Sequence, residues 1–79
     1  MHMPPTVLRY NKIRVVIYTN DHRPEHVHII GPGAQAKVDL NSLEVISVSG
    51  FSKKAMSKIL KQLELDQDHL QEFWRSIHE

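Results

Sequence analysis

The sequence predicts an α+β fold: an antiparallel β-sheet of four to five strands, laid out as two hairpins, followed by an αα-hairpin packed on one face. Three observations carry this expectation. Runs rich in β-branched and aromatic residues fill the chain up to Val48 and are separated by turn-forming residues. One run, Gln35 to Leu40, alternates strictly, with Ala36, Val38 and Leu40 apolar against Gln35, Lys37 and Asp39. From Ser52 the apolar period lengthens from two to about three and a half.

Each element follows from local chemistry. Val7 to Tyr10 and Ile13 to Thr19 form the first hairpin, joined at Asn11-Lys12. Asn20 to Glu25 carries Asn, Asp and Pro, which favour a loop through side-chain-to-backbone hydrogen bonds and a restricted φ. His26 to Ile30 and Gln35 to Leu40 form the second hairpin across Gly31-Pro32-Gly33, and Leu43 to Val48 follows the Asn41-Ser42 turn as a fifth strand. The first helix begins at Ser52, with Ala55, Met56, Ile59, Leu60 and Leu63 on one stripe. Leu65-Asp66 interrupts that stripe, and Asp66 is placed to cap a second helix that buries Leu70, Phe73, Trp74 and Ile77, with Leu65 and Leu70 at staple spacing.

The chain has 79 residues, 41% of them hydrophobic, and no cysteine. A single domain over residues 3–79 is expected, and Met1-His2 resembles a cloning remnant, so His2 is excluded from any site. Chains of this size hide only about 60% of the surface they expose when unfolded. Without a disulfide staple, a homodimer or a partner complex is therefore an expected source of stability. The sequence contains neither an apolar run long enough for a membrane nor a signal-peptide pattern, which with the missing cysteines places it in the cytoplasm and away from membranes. Its net charge of +1 carries no general message about nucleic acid, so such a role must come from local patches.

The most unusual stretch is Asn20 to Ile29, which holds three of the chain's six histidines. If Ile30 pairs with Gln35, then Val27 and Ile29 face Val38 and Ala36 across the hairpin. His28 then faces Lys37, and His26 faces Asp39, on the opposite, solvent side. Cross-strand neighbours lie about 5 Å apart, and the two histidines about 6.6 Å apart along their strand. His22, on the preceding loop, is placed to reach the same patch, and Asp39 to orient His26.

This arrangement supports three chemistries. The pattern H-x3-H-x-H could supply ligands to a divalent transition metal from His22, His26 and His28, with Asp21 or Asp39 as the fourth. The same histidines with Asp39 and with Lys37 or Arg23 could cleave RNA by acid–base catalysis, with no cofactor required. The third reading is a solvated strand face whose histidines pair with Asp39 and Glu25 or pack against a partner. On the first helix, Lys53, Lys54, Lys58 and Lys61 occupy the solvent side. Lys53 and Lys54 oppose the macrodipole in the first turn, so a phosphate or an acidic partner surface is a reason for their presence beyond solvation.

The opening Met3-Pro4 to Arg9-Tyr10, the strand Arg14 to Tyr18, the signature Asn20-Asp21-His22-x-Pro24-x-His26-Val27-His28 and the strand Ala36-Lys37-Val38-Asp39 resemble domain of unknown function family 4160, over nearly the whole chain after Met3. The resemblance implies a gene lying beside a second small gene, as in toxin–antitoxin pairs. It places the family signature on Asp21, His22, Pro24, His26 and His28, with Lys37 and Asp39 from the following strand. The leading expectation is therefore a cytoplasmic interaction or regulatory module of toxin–antitoxin type. It would bind a small protein partner encoded nearby, with RNA as a further candidate ligand. The ribonuclease and metal-binding readings are the alternatives.

Overall fold

Residues 6–78 are described in the computed structural model; the expectations placed on Met1 to Pro4 lie outside the described residues. The strands are β1 (Thr6–Tyr10), β2 (Ile13–Val16), β3 (His26–Gly31), β4 (Ala34–Asp39) and β5 (Val45–Ser49), followed by one helix, α1 (Lys53–His78). Every strand pairs antiparallel with its neighbours in sequence, in the order β1-β2-β3-β4-β5. This is the expected α+β class, with two hairpins and a fifth strand.

Turn chemistry sets the strand ends. Asn11, with φ 57°, turns β1 into β2, and Gly33, with φ 66°, turns β3 into β4 after Pro32. The turn after β4 is held by Asp39, whose Oδ1 accepts the Asn41 and Ser42 amides at 2.7 and 2.9 Å. Leu43 closes the turn in the left-handed region, with φ 61°, and donates its amide to the Asp39 carbonyl at 2.9 Å. Residue 43 is therefore spent on the turn, and β5 begins at Val45, two residues later than the apolar pattern alone suggests. Gly50, with φ 86°, ends β5 where a Cβ would run into the Gly33 carbonyl oxygen and Ala34.

Alternation along the strands builds the core. Val15, Val27, Ile29, Ala36, Val38 and Leu40 point to one face and bury against Met56, Ile59, Leu63, Leu70 and Trp74 of α1. Ser52 caps the helix by accepting the Ala55 amide on its hydroxyl at 3.0 Å and the Met56 amide on its carbonyl at 2.9 Å. The cap agrees with the expected helix start.

The expected αα-hairpin is not formed: one helix of 26 residues runs through Leu65-Asp66. No glycine or proline interrupts Lys53 to His78, so the backbone has no local reason to stop. Leu65 is 80% exposed and belongs to the solvent side. Asp66 itself stands on the buried stripe, three residues after Leu63 and four before Leu70. Rather than capping a helix, it accepts a hydrogen bond from the Tyr10 hydroxyl at 2.9 Å. A dozen buried core residues, at roughly 1.5–3 kcal/mol for each large one, outweigh one satisfied polar position on the stripe.

Polar brackets complete the docking of α1. Gln67 Nε2 donates to the Leu40 and Asn41 carbonyls at 2.8 and 3.0 Å, and Gln71 Nε2 donates to the Leu40 carbonyl and Asn41 Oδ1 at 3.1 and 2.9 Å. Near the helix end, Arg75 Nε donates to Glu25 Oε2 at 3.1 Å, and the His78 ring meets the Tyr18 carbonyl at 3.1 Å.

Two predictions follow from these contacts. Tyr10→Phe leaves the Asp66 carboxylate on the stripe without its donor and is expected to cost about 1–2 kcal/mol in chemical denaturation. Asp66→Ala is expected to cost less, since the half-buried Tyr10 hydroxyl can turn to water and alanine favours the helix; the reverse ranking would contradict this account of the continuous helix. Asp39→Ala should cost about 1 kcal/mol at neutral pH. The Ser42 and Asn41 amides hold the Asp39 carboxyl below its ordinary value of 3.8. Its contribution is therefore present above that value and is lost as pH falls through the lower folded-state value, so wild type and variant should converge in acid.

Candidate metal centre

The β3–β4 register places the histidines on the face opposite the core. His26 pairs with Asp39, His28 with Lys37, Val27 with Val38 and Ile29 with Ala36, the pairing the alternation predicts. Because side chains alternate, Val27 and Ile29 are buried under the helix while His26 and His28 share the other side; contrary to the solvated face expected, His26 is itself buried there and His28 half-buried. Their rings meet edge to face, with centroids 5.1 Å apart, and Tyr18 packs edge-on against His28 at 4.6 Å.

The carboxylate between them comes from the loop. Asp21 Oδ2 lies 3.1 Å from His28 Nε2 and 3.3 Å from His26 Nε2. The loop is drawn in by a local turn, in which the Asp21 amide donates to the Tyr18 carbonyl at 3.3 Å and the Tyr18 amide donates to Asp21 Oδ2 at 3.4 Å. One ligand atom from each of Asp21, His26 and His28 falls within 4.8 Å of the others.

The ring of His26 is oriented from behind. Its Nδ1 lies 2.7 Å from the Pro24 carbonyl oxygen. A carbonyl can only accept, so Nδ1 carries the proton, and in the neutral ring Nε2 presents its lone pair. That lone pair faces the Asp21 carboxylate oxygen, which also only accepts. Two acceptors held at 3.3 Å need a positive charge between them, supplied by a proton on Nε2 or by a metal ion. Burial pushes the His28 imidazole below its ordinary value, against the opposing pull of the Asp21 carboxylate, while the charges of His26 and Lys37 add to the lowering.

The structure assembles some of the expected residues and separates others. His26 and His28 come together as predicted. Asp39 stands opposite His26, but its Oδ1 is engaged by the turn amides, so Asp21 rather than Asp39 is the carboxylate that touches both rings. His22 is exposed and lies outside the three-residue cluster. It lines a cleft of about 460 Å³ with Asp21, Pro24, His26, Lys37 and Ile46 among its neighbours. Lys37 also borders a second cleft, of about 330 Å³, on the far side of His28. Lys53, Lys54, Lys58 and Lys61 are exposed on α1, and Lys58 and Lys61 flank a groove against Tyr10 and Ile13.

Glu25, expected as a partner of the histidines on a solvated face, is engaged by two arginines instead. It is buried, with Oε2 held by Arg23 at 3.3 Å and Arg75 at 3.1 Å, and it ties the start of β3 to the end of α1. The Arg23-x-Glu25 spacing was visible, but the second arginine lies 50 residues away in sequence.

A family model described as domain of unknown function (DUF4160) matches residues 13–75, which include the whole Asp21, His26 and His28 cluster, and the chain belongs to that family. No curated protein and no solved structure matches the chain.

The hydrogen-bond geometry makes a direct prediction for metal-free protein. In 15N-detected NMR, His26 Nδ1 should carry a proton bonded to the Pro24 carbonyl, whether or not Nε2 is protonated towards Asp21. Observation of an Nε2–H, Nδ1-unprotonated ring would overturn the assigned contact with Pro24.

Proposed function

We propose that this member of the DUF4160 family is a metal-binding module, with Asp21 Oδ2, His26 Nε2 and His28 Nε2 as ligands to one divalent transition ion. The observation that carries the reading is the orientation of His26. Its Nδ1–H is committed to a backbone carbonyl while its Nε2 is aimed at a carboxylate, which is the outer-sphere arrangement typical of a metal-bound imidazole. The two separations from the carboxylate agree: two ligands about 2.0 Å from an ion at a tetrahedral angle lie about 3.3 Å apart, against 3.1 and 3.3 Å between Asp21 Oδ2 and the two ring nitrogens, with all three ligand atoms within 4.8 Å of one another. The lowered proton affinity of His28 favours the neutral ring that a metal requires.

Two imidazoles and one carboxylate suit zinc, iron, nickel or copper more than magnesium or calcium. Three protein ligands leave a position for water or substrate, as in catalytic rather than structural zinc sites, and the cleft bounded by His22 and Lys37 leads to the site. The metal-independent ribonuclease reading has less support, because it relied on Asp39 to orient His26. An interaction role of toxin–antitoxin type would engage the polar strand face together with the lysine-bearing helix. It is favoured by the four exposed lysines on α1, which has no acidic residue in its first turn to offset them. That surface would meet an acidic partner protein or RNA.

Titration of tag-free protein with zinc and with nickel, followed by calorimetry and elemental analysis, tests the metal reading. One equivalent is expected. At a free concentration a hundredfold above Kd, the metal should stabilise the fold by about 2.7 kcal/mol. Asp21→Asn, His26→Ala and His28→Ala should each abolish stoichiometric binding, while His22→Ala should retain it. Failure of wild type to bind either ion, or equal binding by the three site variants, would defeat the proposal.

A further inference from the structure

Lys37 puts a cation beside the three-residue cluster. It stands directly opposite His28 on the neighbouring strand and is half-buried there, and cross-strand Cβ atoms are about 5 Å apart. Among the described residues its ammonium makes no ion pair and no hydrogen bond. The charges around it are engaged elsewhere: Asp21 Oδ2 touches the two rings, Asp39 Oδ1 accepts two turn amides, and Arg23 is paired with Glu25. An ammonium beside a divalent ion is repelled by it unless an anion joins them. With an ion in place, the carboxylates of Asp21 and Asp39 offset its charge, and Lys37 leaves the site cationic.

Two clefts meet at Lys37. One, of about 460 Å³, is also lined by Asp21, His26 and His22, so it holds two of the ion's ligands and an exposed imidazole that is not a ligand. The other, of about 330 Å³, borders His28 and is lined further out by Tyr18, Gln35, Ser47 and Ser49, which are mostly neutral hydrogen-bonding groups.

We propose that the metal centre takes a phosphate-bearing small molecule, with one phosphate oxygen in the ion's open position, a second on Lys37 Nζ and a third within reach of His22. This inference rests on the metal reading and names the ligand of that site. A carboxylate has two oxygens, enough for the ion and Lys37 only. Phosphate presents further oxygens in other directions, which leaves one for His22 and makes a charge-assisted bond to the lysine. Lys37 then anchors the phosphate at the boundary of the two clefts, and the second cleft receives whatever the phosphate is esterified to.

Nickel-loaded protein prepared without phosphate tests this when titrated with inorganic phosphate, glycerol 3-phosphate and acetate. Binding is read by calorimetry and by the nickel absorption bands, which move when an anion joins the ion. Wild type should bind both phosphates with a band shift, and acetate at least about tenfold more weakly. Tighter binding of glycerol 3-phosphate assigns an ester as the ligand, and equal binding of the two assigns free phosphate. Lys37→Gln keeps the metal ligands and removes the cation. With unchanged far-ultraviolet circular dichroism, it should bind nickel at least as tightly as wild type when phosphate is absent, yet lose at least about tenfold in phosphate affinity. Three outcomes overturn the inference and leave the metal reading standing: a nickel-loaded wild type that ignores phosphate, one that takes acetate equally well, or a Lys37→Gln protein that binds phosphate as wild type does. A wild type that binds neither nickel nor zinc removes both.

Discussion

Strand β3 is read on both of its faces, and the rest of the molecule depends on its register with β4. Successive side chains of a strand point to opposite sides, so pairing Val27 with Val38 and Ile29 with Ala36 commits His26 and His28 to the other surface. A slip of one residue would drive two imidazoles into the aliphatic core and expose two buried residues, Val27 and Ile29. Core and site are therefore specified by one constraint, and the free energy that buries the valine and isoleucine also holds the histidines side by side.

The helix stabilises the site although it packs on the opposite face. Its stripe from Met56 to Trp74 covers the sheet, and its polar brackets reach round the sheet's edges and ends. Near its end, Arg75 engages buried Glu25, which directly precedes His26, and His78 meets the carbonyl of Tyr18, whose amide helps hold Asp21. Both ends of the loop that supplies Asp21 are thus tied to the last two turns of α1. A ligand that draws Asp21 and the two rings together would act on a loop already restrained by tertiary contacts, which limits the ordering entropy it must overcome.

Much of this was legible in the chain because the signals were local. The alternation of Gln35 to Leu40 and the turn Pro32-Gly33 sufficed for the β3–β4 register down to individual pairs. The Ser52 cap marked the helix start. The second helix failed because Asp66 was read by its propensity to cap, while its actual partner, Tyr10, lies 56 residues away. Leu65 reinforced the error by resembling a staple when it is simply an exposed leucine.

The amino-acid sequence by itself determined the fold class, the face on which His26 and His28 stand and the place where they meet, because side-chain periodicity and turn preference act between near neighbours. The tertiary structure alone decided which carboxylate joins them. Asp39 and Asp21 were both within reach, but the amides of Asn41 and Ser42 claim Asp39, while the turn at Tyr18 brings Asp21 across the two rings. That choice is a competition among hydrogen-bond donors assembled from separate segments, and it exists only once those segments have been brought together.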